Sequence, residues 1–529
     1  MEKKKKIVLL VCIIAGGILV SGIIMSGWVG PPEEVSKHEI IVVSGSEFTT
    51  GIFPGGFGGC CDGSPSCLIY EGLLTFDLNG VKGPGLAESW EMSPDGKVWT
   101  FNLKKGIKFH DGTDFDCEDV KFTCEWNAKH GSKAWWRGFN RVECPDKYTA
   151  KLVFDVPRFT LDSELALTEN YIMSTTTPLN EEGMVTEAVG TGPFKLISWS
   201  KSERAVLERN DDYWGAKPKL ERAVVVVIPS PETQVMALEA GEVDVISCYK
   251  SAAAIPRLKS NPELEMKRKL SVNTGVVYMG TKKEPFNDVK VRKAINYAID
   301  KEGIATHLLA DFAIKADYMF SPAFGKFVNK EAKNYGYNPE KAKQLLKDAG
   351  WEDKDGDRIL EKDGNSLSIS IIYPTNSVDF PMVAEYLQHQ FKEIGIKATL
   401  NPVEYALMRK MKASGDFDLL LTTQWYIPHD EPSNHYRAYF HSTKGTYYFL
   451  NDSEVDALID KLDANGDPAE RIRLHHELQK EILERAPVVY LYNYHQTMFM
   501  KNSVKNFEAP VHSRQIWDSL KKVYIEKGE

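Results

Sequence analysis

Beyond Val29 the 529-residue chain has no second apolar run of the ~20 residues that a bilayer core demands, which excludes a multispanning membrane protein. It also lacks the usual signatures of chemistry. There is no G-x-x-x-x-G-K-[ST] phosphate loop, no G-x-S-x-G nucleophile elbow and no G-x-G-x-x-G following a strand. Gly190-Thr191-Gly192-Pro193-Phe194-Lys195 echoes the phosphate loop only superficially. His476-Glu477 begins like a zinc-protease helix, but Lys480 stands where the second histidine is needed. Asp353, Asp355 and Asp357 open like a calcium loop; Arg358 then takes the place of the turn glycine and Gly364 that of the bidentate acid, which leaves a solvated hairpin. No arginine-rich stripe is present and the net charge is −9, so nucleic acid is not an expected partner. Nothing here calls for a cofactor.

What is present starts with an address. Lys3 to Lys6 precede Ile7 to Val29, a segment without a single charge, and Glu33 and Glu34 follow it. That pattern predicts an uncleaved anchor with the N-terminus inside and the body outside. A cleaved secretory signal is the alternative, and it exports the body equally. With 43% hydrophobic and 26% charged residues, the rest of the chain can build a substantial core. Seven cysteines follow the apolar segment: Cys60, Cys61, Cys67, Cys117, Cys124, Cys144 and Cys248. Outside the cell thiols tend to pair, and a loop disulfide from Cys67 to Cys60 or Cys61 is the simplest expectation. A thiolate metal site is the rival, although CC-x5-C matches no standard zinc spacing.

Strand and helix patterns alternate along the body. Trp99, Phe101 and Leu103, like Ala150, Leu152 and Phe154, alternate with polar residues as half-buried strands do. Ala223 to Ile228 is a continuous apolar run rich in β-branched residues, suited to a strand covered on both faces. Asn338 and Pro339 open a helix with a stripe at Ala342, Leu345, Leu346 and Ala349, stopped by Gly350. Val291, Ala294, Ile295 and Ala298 form a second such stripe; Val455, Leu458, Ile459 and Leu462 form a third. The fold class is therefore mixed α/β.

Seven blocks stand in a familiar order: Tyr70-Glu71-Gly72-Leu73-Leu74, Pro84 to Trp90, Ser93 to Phe101, Leu103 to Gly112, Gly190 to Phe194, Asn210 to Gly215, and Val291 to Asp300. In register they resemble the family 5 extracellular solute-binding proteins, the peptide- and nickel-type receptors of ABC importers. The resemblance implies a two-lobed Venus-flytrap of the periplasmic-binding-protein type with an additional domain. On that reading residues 1–35 are signal or anchor and linker, 36–66 and 190–275 belong to lobe I, 67–189 form the extra domain, 276–494 form lobe II, and 495–529 return to lobe I. Gly192 and Pro193 would mark a crossing between lobes. The partners implied are a small ligand held in the cleft, an ABC permease with its ATPase, and the membrane through the N-terminal segment; the protein would act as a monomer and not as an enzyme. A cell-surface hydrolase is the competing class, and a purely structural surface protein the third.

The same resemblance supplies ligand-binding candidates. Thr423 to Pro432 should form the specificity loop, holding Trp425, Tyr426, His429, Asp430 and Glu431. Pro428 stands where peptide receptors place an aspartate for the α-ammonium, so the sequence is closer to the nickel type. Trp135, beside Trp136 and Arg137, matches an aromatic that packs over the metal complex, and His441 falls in the loop that supplies a histidine ligand there. Two arginines that grip a chelator in nickel-type receptors are replaced by Ser132 and Glu169, with Arg137 close enough to compensate. Trp135 and Trp425 as aromatic walls, with Asp430, Glu431 or Glu169 supplying negative charge, predict a cationic or metal-bearing small ligand in preference to a neutral tripeptide.

Overall fold

The computed structural model describes residues 38–45, 47–48, 64–131, 136–246, 254–425, 430–447 and 449–526. The apolar segment Ile7 to Val29 and the cysteines Cys60, Cys61 and Cys248 lie outside them. Among the described residues no helix is long and apolar enough to cross a membrane.

Most strands join one eleven-stranded sheet. At one end Glu39–Ser44 pairs in parallel with Arg222–Val227, the predicted β-branched strand, which is flanked on its other side by antiparallel Arg204–Arg209. At the other end Ser368–Pro374 runs parallel to both Lys397–Val403 and Leu419–Gln424. Two long antiparallel strands, Leu264–Met279 and Val488–Lys501, run through the middle and belong to both ends. Their register slips between Leu270 opposite His495 and Thr274 opposite Asn493, so that Ser271, Val272 and Asn273 face a single residue. A bulge of this kind sharpens the local twist and leaves backbone groups to be satisfied elsewhere. Here the Val272 N–H donates to the Val511 carbonyl at 3.2 Å, and the Ser271 carbonyl accepts from Ser321 Oγ at 2.6 Å.

Separate hydrophobic clusters pack around the sheet. Ile40, Val225, Met500 and Trp517 anchor one; Ile295, Leu346, Leu387 and Leu421 form a second; Tyr278, Leu420, Leu474 and Ile482 form a third. A fourth lies under a four-stranded antiparallel sheet built from Ala87–Met92, Val98–Leu103, Thr149–Phe154 and Phe139–Asp146. The helix Cys117–His130 packs there, and a disulfide from Cys117 to Cys144 ties its first turn to the last of these strands. The reading of the cysteines did not single out this pair. Cys67 is buried in the short helix Ser66–Ile69, and its expected partners lie outside the described residues.

Local chemistry sets the element ends as the sequence indicated. Asn338 Oδ1 accepts the Lys341 N–H at 2.9 Å and caps Pro339–Asp348, with Gly350 left-handed just beyond. Asp452 caps Ser453–Asp463 in the same way. Gly96, in the turn after Pro94, has φ +68°, where a side chain would be strained. Gly190 and Gly192 lie against the backbone of the short helix Ser66–Ile69: a Cβ on Gly190 would fall 2.0 Å from the Ile69 carbonyl oxygen and one on Gly192 would fall 2.5 Å from that of Leu68, so both positions permit a close backbone contact.

That contact belongs to a hub. Glu71 accepts hydrogen bonds from Tyr213 Oη and Trp214 Nε1, both at 2.7 Å, and from Thr191 Oγ1 at 3.0 Å. His110 Nε2 meets the Gly192 carbonyl at 3.0 Å. Three of the seven sequence blocks thus meet at the Glu71 carboxylate, and a fourth joins them through His110 and the Gly192 carbonyl. Hydrogen bonds to a charged group are stronger than neutral ones, and removing the acceptor orphans three donors. Glu71→Ala should therefore cost about 3 kcal/mol or more, seen as a lower thermal midpoint, whereas Glu88→Ala, at an exposed position, should stay within ~0.5 kcal/mol of the parent. Equal midpoints would show that the hub does not hold these segments together.

Candidate functional site

The strand Leu419–Gln424 is buried at every position but Thr423 and is followed by Trp425, which is 36% exposed. Antiparallel pairing to Thr274–Met279 places Gln424 beside Thr274, and Thr274 also pairs with Asn493, so one polar row crosses three strands next to the bulge. Thr274 Oγ1 donates to Asn493 Oδ1 at 2.9 Å, and Gln424 Nε2 meets His435 Nδ1 at 2.7 Å. Trp425 is thus held at the end of an anchored strand, its ring edge-on to His512 with centroids 6.1 Å apart. A partly exposed indole next to buried polar groups offers an apolar face for a ligand and little freedom to move away.

The other candidates divide into distinct surroundings. Trp135, Tyr426 and His429 lie outside the described residues, as does Ser132. Trp136 is a core residue, packed edge-on against Phe139 at 5.2 Å. Arg137 is exposed, and Arg437 and Asp463 are within its electrostatic reach. Glu169 is buried in the one-turn segment Thr168–Asn170 and accepts from Thr168 Oγ1 at 3.1 Å. His441 is buried behind the helix Ser433–Phe440. Its Nδ1 accepts the N–H groups of Thr443 and Lys444 at 3.2 and 3.1 Å, while Nε2 faces Asp460 at 3.3 Å, so both ring nitrogens serve local structure here.

Both loop carboxylates are held by protein cations. Asp430 Oδ2 accepts from Ser163 Oγ at 2.9 Å and lies 3.2 Å from Lys82 Nζ. Burial pushes its carboxyl pKa up, with Lys82 opposing. Glu431 is gripped by Arg471, whose Nε donates at 2.9 Å, and by His475 Nε2 at 3.1 Å. Burial alone would raise the Glu431 pKa, but the His475 hydrogen bond and the Arg471 charge outweigh it and hold it at about 2. The negative charge expected to greet a cationic ligand is therefore compensated inside the protein. Lys82, Ser163, Arg471, His475 and His512 carry no local signal in the sequence, since each meets its partner only across a long stretch of chain. The acidic run also comes together: one carboxylate oxygen each from Asp353, Asp355, Asp357 and Glu361 lie within 4.8 Å of one another. Oxygens of all four accept N–H groups of their own loop, as in the hairpin read from the sequence.

The sheet with its two shared long strands is the architecture of a periplasmic binding protein, a class that captures solutes without altering them. The pattern described as bacterial extracellular solute-binding proteins, family 5, middle, matches residues 83–447, and the chain belongs to that family, the solute receptors of ABC importers. It is similar to the nickel-binding periplasmic protein of Escherichia coli, with 28% identity covering 79% of this chain and 80% of the relative. The dipeptide-binding protein of the same organism is 27% identical, covering 84% and 86%. Among solved structures, NikA from Brucella suis in complex with Fe(III)-EDTA superposes with a TM-score of 0.84 at 26% identity, over 92% of this chain and all of that one.

Glu431 provides a pH test. Its folded-state pKa of about 2 lies below the ~4.3 of a free glutamate, so pairing stabilises the fold above pH ~4.3 and is lost as pH falls toward about 2. Glu431→Gln should destabilise the protein at pH 7 by about 3 kcal/mol, because Arg471 stays buried without its counter-charge. Unfolding measured across that acid window should fall less steeply for the variant than for the parent. Parallel pH profiles would show that the Glu431 pairing contributes nothing to acid sensitivity.

Proposed function

We propose that this protein is a membrane-anchored receptor that closes two lobes over a small solute, a metal chelate or short peptide, and delivers it unchanged to an ABC permease. The observation that carries the reading is Trp425, presented half-exposed at the end of a buried strand beside the bulge shared by the two long strands. On this reading residues 36–66, 190–275 and 495–529 make lobe I, 67–189 the extra domain and 276–494 lobe II, and the bulge at 271–273 lets the long strands flex. Binding energy then biases an open–closed equilibrium. Trp425 forms one wall, with Arg137 on the extra-domain side; Trp135, the second wall expected from the sequence, lies outside the described residues. Because Asp430 and Glu431 are compensated by Lys82 and Arg471, attraction for a cationic or metal-bearing ligand rests on the aromatic faces, worth ~0.5–2 kcal/mol each. The nickel- and dipeptide-binding relatives support both ligand types. The charge-free segment Ile7 to Val29 supports the anchor, and with it a place on the outer face of the cell membrane.

The test is a thermal-shift series with nickel alone, nickel with histidine, and di- and tripeptides, followed by recovery of the bound molecule. A ligand at a hundred times its Kd should add about 2.7 kcal/mol of stability and return chemically unchanged. A converted product would overturn the receptor reading in favour of a hydrolase. For the ligand so found, Trp425→Ala should weaken binding roughly tenfold or more, about 1.4 kcal/mol, in calorimetry, with unfolding unaltered. Normal binding by that variant would remove Trp425 from the site.

A further inference from the structure

The contacts that hold Asp430 are part of a longer seam. Lys82 Nζ lies 2.6 Å from Asp162 and 3.2 Å from Asp430, and it also donates to Ser163 Oγ at 2.9 Å. Ser163 completes the ring through its own hydrogen bond to Asp430. In the first turn of the helix Ser433–Phe440, Asn434 Nδ2 donates to Glu164 Oε1 at 3.3 Å, and Glu164 is itself fixed by an ion pair with buried Arg158. Beside these groups the ring of Phe159 seats on Gly466: a Cβ there would lie 2.7 Å from Cε1 of the ring. Lys82 and Ser163 on Asp430, Asn434 on Glu164, and Phe159 on Gly466 join residues 82–164 to residues 430–466, segments far apart in the chain and carried by different hydrophobic clusters.

We propose that this seam is a latch built from the protein's own side chains, which holds the extra domain against lobe II at the mouth of the cleft and sets how readily it opens. The inference rests on the two-lobed reading above. The ionic core suits that task. The side chains of Lys82, Asp162 and Asp430 are 20%, 17% and 23% exposed, enough shelter to keep the attraction from being screened away while the seam still touches water. A wholly apolar seam would bind more permanently. A fully exposed pair would be worth almost nothing. Phe159 on Gly466 supplies an apolar peg that only a residue without a side chain can receive. The latch also explains why the carboxylate next to the Trp425 loop is compensated by Lys82: closing the seam and positioning the start of the helix Ser433–Phe440 are one event.

The test needs no ligand, so its failure is separable from failure of the receptor reading. Amide hydrogen exchange of the full chain in detergent would be followed by mass spectrometry for peptides covering residues 158–164 and 430–437. Lys82→Glu sets like charges against Asp162 and Asp430 and should speed exchange in both segments roughly tenfold, while amides of Leu264–Met279 and Val488–Lys501 keep the parent rate. Adding Asp430→Lys to that variant restores opposite charges and should return both segments toward the parent rate. Gly466→Val, which blocks the peg and leaves the ion pairs in place, should loosen the same two segments. Unchanged exchange in Lys82→Glu and Gly466→Val, or no recovery in the double variant, would overturn the latch.

Discussion

Everything that reaches the site hangs on one pairing, that of Leu264–Met279 with Val488–Lys501. These strands form ladders at both ends of the sheet, so a displacement at one end is transmitted through backbone hydrogen bonds to the other. The pairing slips twice, between Gly275 and Val276, where Leu491 is the extra residue, and at Ser271–Asn273, where three residues face one. A bulge there is tolerable because Val511 and Ser321 supply the hydrogen-bond partners that the ladder gives up. The polar row of Gln424, Thr274 and Asn493 sits directly against it, and Trp425 follows Gln424 in the chain. The bulge in the long strands and the partly exposed indole of Trp425 are therefore neighbours by construction.

A second constraint works in the opposite sense. Glu71 draws together Thr191, Tyr213 and Trp214, while His110 closes on Gly192, so the four-stranded unit and the sheet end around Glu39–Ser44 are tied by a compact polar hub. Hydrogen bonds to a shared carboxylate lose far more when one donor is displaced than neutral contacts do, which makes such a junction stiff.

The fate of the loop carboxylates shows how far charge can be read from a linear pattern. Asp430 and Glu431, next to an aromatic loop, look like counter-charges for a ligand. In the folded chain each meets a cation from a distant segment, Lys82 or Arg471, and a desolvated carboxylate with such a partner has little field left to offer outward. His441 is similar: the loop that follows it turns two N–H groups back onto its ring, which no spacing rule for metal ligands would reveal.

The sequence by itself determined the mixed α/β class, the cap at Asn338, the turn at Gly96, the β-branched strand beginning at Ala223 and, through seven blocks in register, the family. Each of these depends on periodicity, on the conformational freedom of single residues or on a pattern spread over the whole chain, all of which survive in one dimension. Tertiary structure alone decided that three of those blocks meet at Glu71, that Cys117 pairs with Cys144, that Trp136 is core while Trp425 is partly exposed, and that Lys82 compensates Asp430. Those outcomes depend on which side chains are brought within 3 to 4 Å of one another, and hydrogen bonds and ion pairs fall off too steeply with distance for sequence separation to report them.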